Sequence, residues 1–181
     1  MAVDLGWLAG IIDGEGCITL LPAYKRETVW YRPYVKISNT NPLIIDRISK
    51  ISKALKVGHW ISRRMKGKYA DKNLYEVVFD GMKRVNSLLN IMLPFIVGKK
   101  DEAETVKAFI DYRSNKHGGN NTQYPYGEIE KGFYEKCKQQ KQSVHLRDLM
   151  PNTSYYGVKI KSELLGDLQT ETEMSSEIIA R

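Results

Sequence analysis

The chain has 181 residues, 42% of them apolar and 27% charged, with a formal net charge of +7. That length buries one sizeable core without covalent or metal staples, and Cys17 and Cys137 lack any Cys or His neighbour at zinc-site spacing, which excludes a disulfide framework or a zinc module. No apolar run approaches the roughly 20 residues of a membrane helix, and no basic n-region precedes an apolar stretch, so an intracellular, non-secreted protein without membrane contact is expected.

The charge is unevenly placed. From Lys25 to Lys68 twelve Lys and Arg face only Glu27 and Asp46, whereas the tail after Ser162 carries Glu163, Asp167, Glu171, Glu173 and Glu177 against Arg181. A polyanionic partner is expected to meet the first half and to repel the tail.

In chain order, "DLGWLAGIIDGEG" (4–16) reads as a helix with Asp4 as its N-cap and Gly14 and Gly16 at its end. Cys17 to Leu21 is strand-like, and "LPAYKRE" reads as the turn that follows, helped by Pro22. Thr28 to Ser38 alternates: Val29, Tyr31, Val35 and Ile37 share one face, while Trp30, Arg32, Tyr34, Lys36 and Ser38 share the other. Pro33 marks an edge or a bulge. "NTNP" starts a helix carrying Leu43, Ile44, Ile48, Ile51 and Leu55 at helical spacing, closed by Gly58. "HWISRRMKGKY" and "NLYEVVFD" form a second strand pair joined at 67–72. Helical periodicity returns over 82–93, ended by Pro94, again over 101–113, and again over 128–142. This order predicts an α+β fold: one antiparallel sheet with helices on one face, forming a single domain with a core of about 4–113 and a C-terminal extension of about 114–181.

The first helix poses a physical problem. Gly6, Gly10 and Gly14 fall at i, i+4 and i+8, and each interior Gly costs about 1 kcal/mol against Ala. A row of small residues lets a second backbone approach closely. Nothing later in the chain repeats the stretch, so the partner helix is assigned to a second copy. Asp13 and Glu15 lie at the negative end of the helix dipole, where carboxylates are disfavoured. Two such ends side by side gather anionic oxygens that hard divalent cations satisfy. The rival reading is a glycine-rich helix end with incidental acids.

"LAGIIDGEG" (8–16) resembles the signature of the LAGLIDADG homing endonucleases, differing at Ile11, Gly14 and Glu15. The element order over 4–113 is similar to the family's αββαββα core, whose four-stranded antiparallel sheet forms a DNA-binding saddle with helices on its other face. A single motif resembles the homodimeric branch. The resemblance implies a sequence-specific endonuclease that hydrolyses both strands of a long pseudo-palindromic double-stranded DNA site, leaving 3′ overhangs. It assigns divalent metal, Mg²⁺ with Mn²⁺ or Ca²⁺ as substitutes in binding, to Glu15 and the Gly14 carbonyl. Glu15 stands where many members have Asp. The family lysine corresponds to Lys99, with Lys100 as rival, and the polar residue after the second strand to Asn39. Together, Glu15, Lys99 and Asn39 form the expected catalytic set. Asp13 is expected to tie the helix end to the adjacent loop and, with Gly6, Gly10 and Gly14, to lie at the dimer interface.

Base and phosphate contacts are assigned to one exposed strand face and its hairpin tips. The face supplies Thr19, Trp30, Arg32, Tyr34, Lys36, His59, Arg63 and Glu76, with Arg32 and Arg63 as guanine readers. The tips supply Lys25, Arg26, Lys66 and Lys68 for phosphates. Two rival functions share this fold: a maturase that binds intron RNA, and a DNA-binding regulator that does not cut.

Overall fold

The computed structural model describes residues 2–25, 28–65, 72–117 and 126–143. The chain divides after Gln142, and the packing described here belongs to the first unit. The acidic tail after Ser162 and the tip residues Arg26, Lys66 and Lys68 lie outside the described residues.

Nine elements follow in the order α1 (Ala2–Glu15), β1 (Gly16–Lys25), β2 (Thr28–Asn39), α2 (Pro42–Ala54), β3 (Trp60–Arg64), β4 (Leu74–Asp80), α3 (Met82–Met92), α4 (Lys100–His117) and α5 (Glu128–Ser143). The strands form one antiparallel sheet in the order β1-β2-β4-β3. This is the α+β architecture expected, with α5 as an added C-terminal helix.

Period-2 alternation in β2 decides which face meets the helices. Tyr31, Val35 and Ile37 are buried, and their partners Ile18, Val77 and Phe79 complete an apolar layer. Leu8, Ala9 and Ile12 of α1, Ile45 and Ile48 of α2, Val85, Leu88 and Leu89 of α3, and Val106, Phe109 and Ile110 of α4 fill the same core. Each fully buried aliphatic or aromatic side chain contributes roughly 1.5–3 kcal/mol.

Several boundaries differ from the sequence expectation, each for a local reason. Asp4 is inside the first turn of α1 and pairs with Arg47 of α2 at 3.3 Å, so it does not cap the helix. β1 continues through Pro22, which pairs with Tyr31, as far as Lys25 opposite Thr28, so the expected turn "LPAYKRE" is largely strand. β1 is an edge strand, where a missing N–H breaks no ladder bond. Pro33 lies in an inner strand, but pairing of β2 with β4 begins only at Tyr34, and the Pro33 carbonyl accepts from Gly81 N at 2.9 Å. Asn41 caps α2, its side-chain oxygen accepting from Leu43 N at 3.0 Å. α2 is closed by Lys56 at φ 56° rather than by Gly58, a left-handed position that an L side chain adopts at a cost of about 1 kcal/mol.

α4 and α5 are joined by a buried ion pair. Arg113 Nη1 donates to Glu130 Oε1 at 2.9 Å with both side chains sealed from water, and the guanidinium carbon stands 4.1 Å from the Tyr126 ring centre. Glu130 Oε2 accepts from Gly127 N at 2.9 Å, satisfying an orphan donor at the start of α5. Burial would raise the Glu130 carboxyl, but the Gly127 and Arg113 hydrogen bonds hold it below the ordinary 4.5. A depressed native value means stability that is complete above the ordinary value and is lost as pH falls through the native one. Melting temperature is therefore expected to hold level from neutral pH down to about 5 and to fall below it. In Glu130→Gln that acid-side fall should be visibly shallower. An identical acid profile for the two proteins would show that Glu130 is not the group responsible.

Candidate functional site

The abrupt exit of α1 into β1 sets the geometry of the first candidate region. Gly16 follows Glu15 directly, and a Cβ at Gly16 would stand 2.4 Å from the Ile12 carbonyl oxygen, so only glycine fits this passage. Gly16 pairs with Ile37, which brings Glu15 to the sheet end where β2 finishes at Asn39.

The two acids of α1 have different surroundings. Asp13 Oδ2 accepts from Val97 N at 2.9 Å and Oδ1 from Lys99 N at 3.0 Å, while the Lys99 ammonium donates to the Asp13 carbonyl. Asp13 thus latches α1 to the connection before α4, and Lys99 brings a cation to the negative pole of the helix. This bonding answers half of the problem posed by the sequence: Asp13 is compensated within its own chain. Glu15 is exposed, and among the described residues nothing bonds its carboxylate. Asn39 Oδ1 accepts from Asn41 N at 2.8 Å, which turns the chain into α2. Lys99 therefore stands at the end of α1, and Asn39 closes the strand that pairs with the one leaving it.

Among the described residues no group of three His, Cys, Asp or Glu side chains could hold a metal ion. One copy offers the free Glu15 carboxylate and the neighbouring Gly14 carbonyl. These are hard oxygen donors of the kind Mg²⁺ and Ca²⁺ take, and Mg²⁺ completes so small a set with waters and substrate phosphates.

Gly6, Gly10 and Gly14 are exposed, and a Cβ built on any of them meets nothing within 4 Å. The opposite side of α1, Leu8, Ala9 and Ile12, is sealed in the core. The glycine stripe therefore lies open on the surface of the single chain, and it ends at Glu15.

The second candidate region is the sheet face turned away from the helices. Arg32, Tyr34, Lys36 and Ser38 of β2 lie on it, as their alternation predicts, together with Trp60, Ser62 and Arg64 of β3 and Glu76, Val78 and Asp80 of β4. The β3 register requires a correction. Arg63 pairs with Tyr75 and stands 5.8 Å over its ring, on the helix side, while Arg64 takes the open face. His59 is also on the helix side: its Nε2 and Ser49 Oγ lie 2.8 Å apart, and its ring packs against Phe79 in a tilted arrangement, with centres 5.8 Å apart. One residue of register exchanges the two faces of a strand.

Other expected contacts are placed less simply. Thr19 lies opposite Tyr34, but it is buried and its hydroxyl donates to the Leu20 carbonyl at 3.3 Å. Trp30 packs against Tyr126 in a tilted arrangement, with ring centres 5.4 Å apart, beside a hollow of about 450 Å³ lined also by Arg32, Pro33, Gly81 and Met82. Lys25 closes β1 opposite Thr28.

Two carboxylates organise the cations of the open face. Arg32 Nε lies 2.9 Å from Asp80 Oδ1, a close ion pair without hydrogen-bond alignment. Burial raises the Asp80 carboxyl, and the charges of Arg32 and Arg84 offset this only in part. Glu76 Oε1 accepts from Lys36 Nζ at 3.0 Å and from Ser38 Oγ at 3.3 Å, and Oε2 accepts from Ser62 Oγ at 3.0 Å. Arg64 Nη2 stands 4.0 Å from the same Oε1. Burial alone would raise Glu76, yet the Lys36 and Ser62 hydrogen bonds and the Lys36 and Arg64 charges hold it below the ordinary range. Ser38, Ser62, Arg64 and Asp80 were not singled out as contacts in the sequence; strand pairing brings them together.

Solved structures share this fold. The archaeal intron-encoded homing endonuclease I-Vdi141I, complexed with DNA, matches with a TM-score of 0.60 and 16% identity over 80% of this chain and 87% of that one. The LAGLIDADG homing endonuclease I-GzeII, in complex with its DNA target, matches at 0.53 and 12% identity over 87% and 54%. The homing endonuclease I-CvuI, in complex with the I-CreI target in the presence of Mg and with the DNA not cleaved, matches at 0.50 and 19% identity over 79% and 98%. No family model and no curated protein matches the sequence. The chain has the fold of the LAGLIDADG homing endonucleases. Its nine-residue motif at 8–16 lies on α1 and points to the same family.

Proposed function

We propose that this chain is a single-motif homing endonuclease that pairs through α1 and cleaves duplex DNA with divalent metal, leaving 3′ overhangs. The observation that carries the reading is the open glycine stripe of α1 leading to an exposed Glu15, with Lys99 beside it.

In this reading two copies bring their glycine faces together, and each contributes Glu15 and the Gly14 carbonyl as metal ligands. A divalent cation held there supplies Lewis-acid charge at the phosphate and lowers the pKa of water. Lys99, fixed by its bonds to Asp13, adds positive charge where the phosphate develops negative charge. Asn39 offers a polar amide at the same end of the sheet. Asp13 holds α1 to the Val97–Lys99 segment, so it positions Lys99. The open face of β2, β3 and β4 enters the major groove, whose width admits a two-stranded ribbon. Arg32, Tyr34, Lys36 and Arg64 meet base edges there, while Lys25, Arg26, Lys66 and Lys68 meet phosphates.

Incubating the protein with a randomised duplex library and Mg²⁺, then sequencing cut ends, tests the proposal. Cleavage at one long, two-fold-related site with 3′ overhangs supports it. Binding to folded intron RNA without any cutting would overturn it in favour of a maturase.

The pairing has its own test. Gly10→Leu places a bulky side chain where the reading puts a partner backbone, and overpacking a close contact from both copies should weaken the dimer by about 100-fold or more. The single chain has open space at this position, and Leu is the better helix former. The isolated fold should therefore be unharmed. Sedimentation velocity showing monomer with an unchanged far-UV spectrum is the expected result, and a dimer as strong as wild type would refute the interface.

A further inference from the structure

We infer that Glu76 is a positioning residue that sets Lys36, Ser38 and Ser62 into one fixed donor–acceptor array that reads a base pair in the major groove. The inference rests on the DNA-binding reading above.

An acid on a face meant for a polyanion is unfavourable and needs a compensating role. Glu76 is 8% exposed, sits on β4 between β2 and β3, and holds residues of both. Its bonds fix hydrogen directions as well as positions. The Ser38 and Ser62 hydroxyl protons point to the carboxylate, which leaves their oxygens as acceptors toward the groove. The Lys36 ammonium has three N–H groups and gives one to Oε1, which leaves two. Lys36 Nζ and Ser38 Oγ share the same oxygen, Oε1, so a donor and an acceptor stand side by side on the open face. In the major groove guanine presents N7 and O6 as acceptors, and cytosine presents the N4 amino group as a donor. Adenine likewise presents an N7 acceptor beside its N6 amino donor. A donor and an acceptor held at fixed positions match only a base pair whose acceptor and amino group stand at those positions.

The same bonds restrain non-specific binding. A lysine held by a carboxylate is less available to phosphates, and its charge is partly cancelled. Releasing it should strengthen backbone binding while removing base discrimination. Those two effects have opposite signs, whereas a merely structural loss lowers both.

The test uses the full-length protein and a site selected from randomised duplexes. Binding to that site, to every single base-pair variant of it and to unrelated DNA is measured by fluorescence anisotropy across salt concentrations. In Glu76→Gln the preference for the base pair at one position of each half-site should fall by about tenfold. Affinity for unrelated DNA should rise several-fold, with a salt slope steeper by about 1. Lys36→Met should relax the same base pair, and this second variant decides the matter if Glu76→Gln does not fold. Unchanged preference in Glu76→Gln, or effects of the two variants at different base pairs, would overturn the inference alone. Failure of the wild-type chain to select any duplex would overturn the DNA-binding reading together with it.

Discussion

Glu15→Gln is expected to lower DNA cleavage by about 10³-fold or more while leaving affinity for the selected site within a few-fold of wild type. Gln is nearly isosteric with Glu, and Glu15 is exposed at the end of α1 with no described residue bonded to it, so the fold loses nothing. What disappears is a negative oxygen able to hold a divalent cation. Metal stabilisation of transition-state charge is worth several kcal/mol, and each 1.36 kcal/mol is a tenfold change in rate. The loss should appear in single-turnover cleavage in Mg²⁺, with binding followed in parallel in Ca²⁺. Binding should hold because the proposed base-reading face is on the strands and not at the helix end. A variant that cuts at the wild-type rate removes Glu15 from the site. A variant that loses binding and cutting together makes Glu15 a structural group.

The second large effect concerns stability. Arg113→Met should lower stability by about 3–5 kcal/mol, because it leaves Glu130 as a buried charge without its cation. For a chain of this size that is a fall in melting temperature of very roughly 6–20 °C. The double variant Arg113→Met with Glu130→Leu should recover most of the loss, since both desolvated charges are then gone. Recovery should stop about 1 kcal/mol short, because Gly127 N loses the oxygen it donates to. Chemical denaturation of the four proteins closes the double-mutant cycle. If the double variant is as unstable as the single, the interaction between the two charges is not what holds α5 to α4.

Local patterns carried much of this fold in the sequence. Alternation over 28–38 correctly divided β2 into a core face and an open face, because both buried and exposed residue types obey a period of two there. Asn41 before Pro42 identified the start of α2. β3 offered no such guide: "HWISRR" places Trp60 beside Ile61 and Arg63 beside Arg64. With like residues adjacent, alternation cannot choose a register. The choice is made at long range, by Tyr75 under Arg63 and by Ser49 and Phe79 around His59. Pro22 misled for the opposite reason, since its usual meaning as a turn residue fails on a sheet edge.

The helix end was legible as an unusual place but not as a mechanism of compensation. Glycines and acids in "LAGIIDGEG" mark it, yet the groups that satisfy Asp13 are backbone N–H groups more than eighty residues away. Nothing in composition or spacing reveals a bond to a main-chain donor. The Arg113–Glu130 pair was hidden in the same way, because two charged helix residues read as solvent-facing until the packing of α4 on α5 removes the water.

The division of β2 also bears on how such a protein can change over generations. Its even-numbered positions, Arg32, Tyr34 and Lys36, lie on one side, and the odd-numbered Tyr31, Val35 and Ile37 on the other. In the proposed reading, mutations at the first set explore new targets without disturbing the hydrophobic interior, so recognition can drift while foldability is conserved. The freedom is uneven along the strand: Arg32 leans on Asp80 through a single ion pair, whereas Lys36 shares Glu76 with residues of two strands. Position 32 is therefore open to one-step variation, and position 36 is tied to coordinated change at several codons.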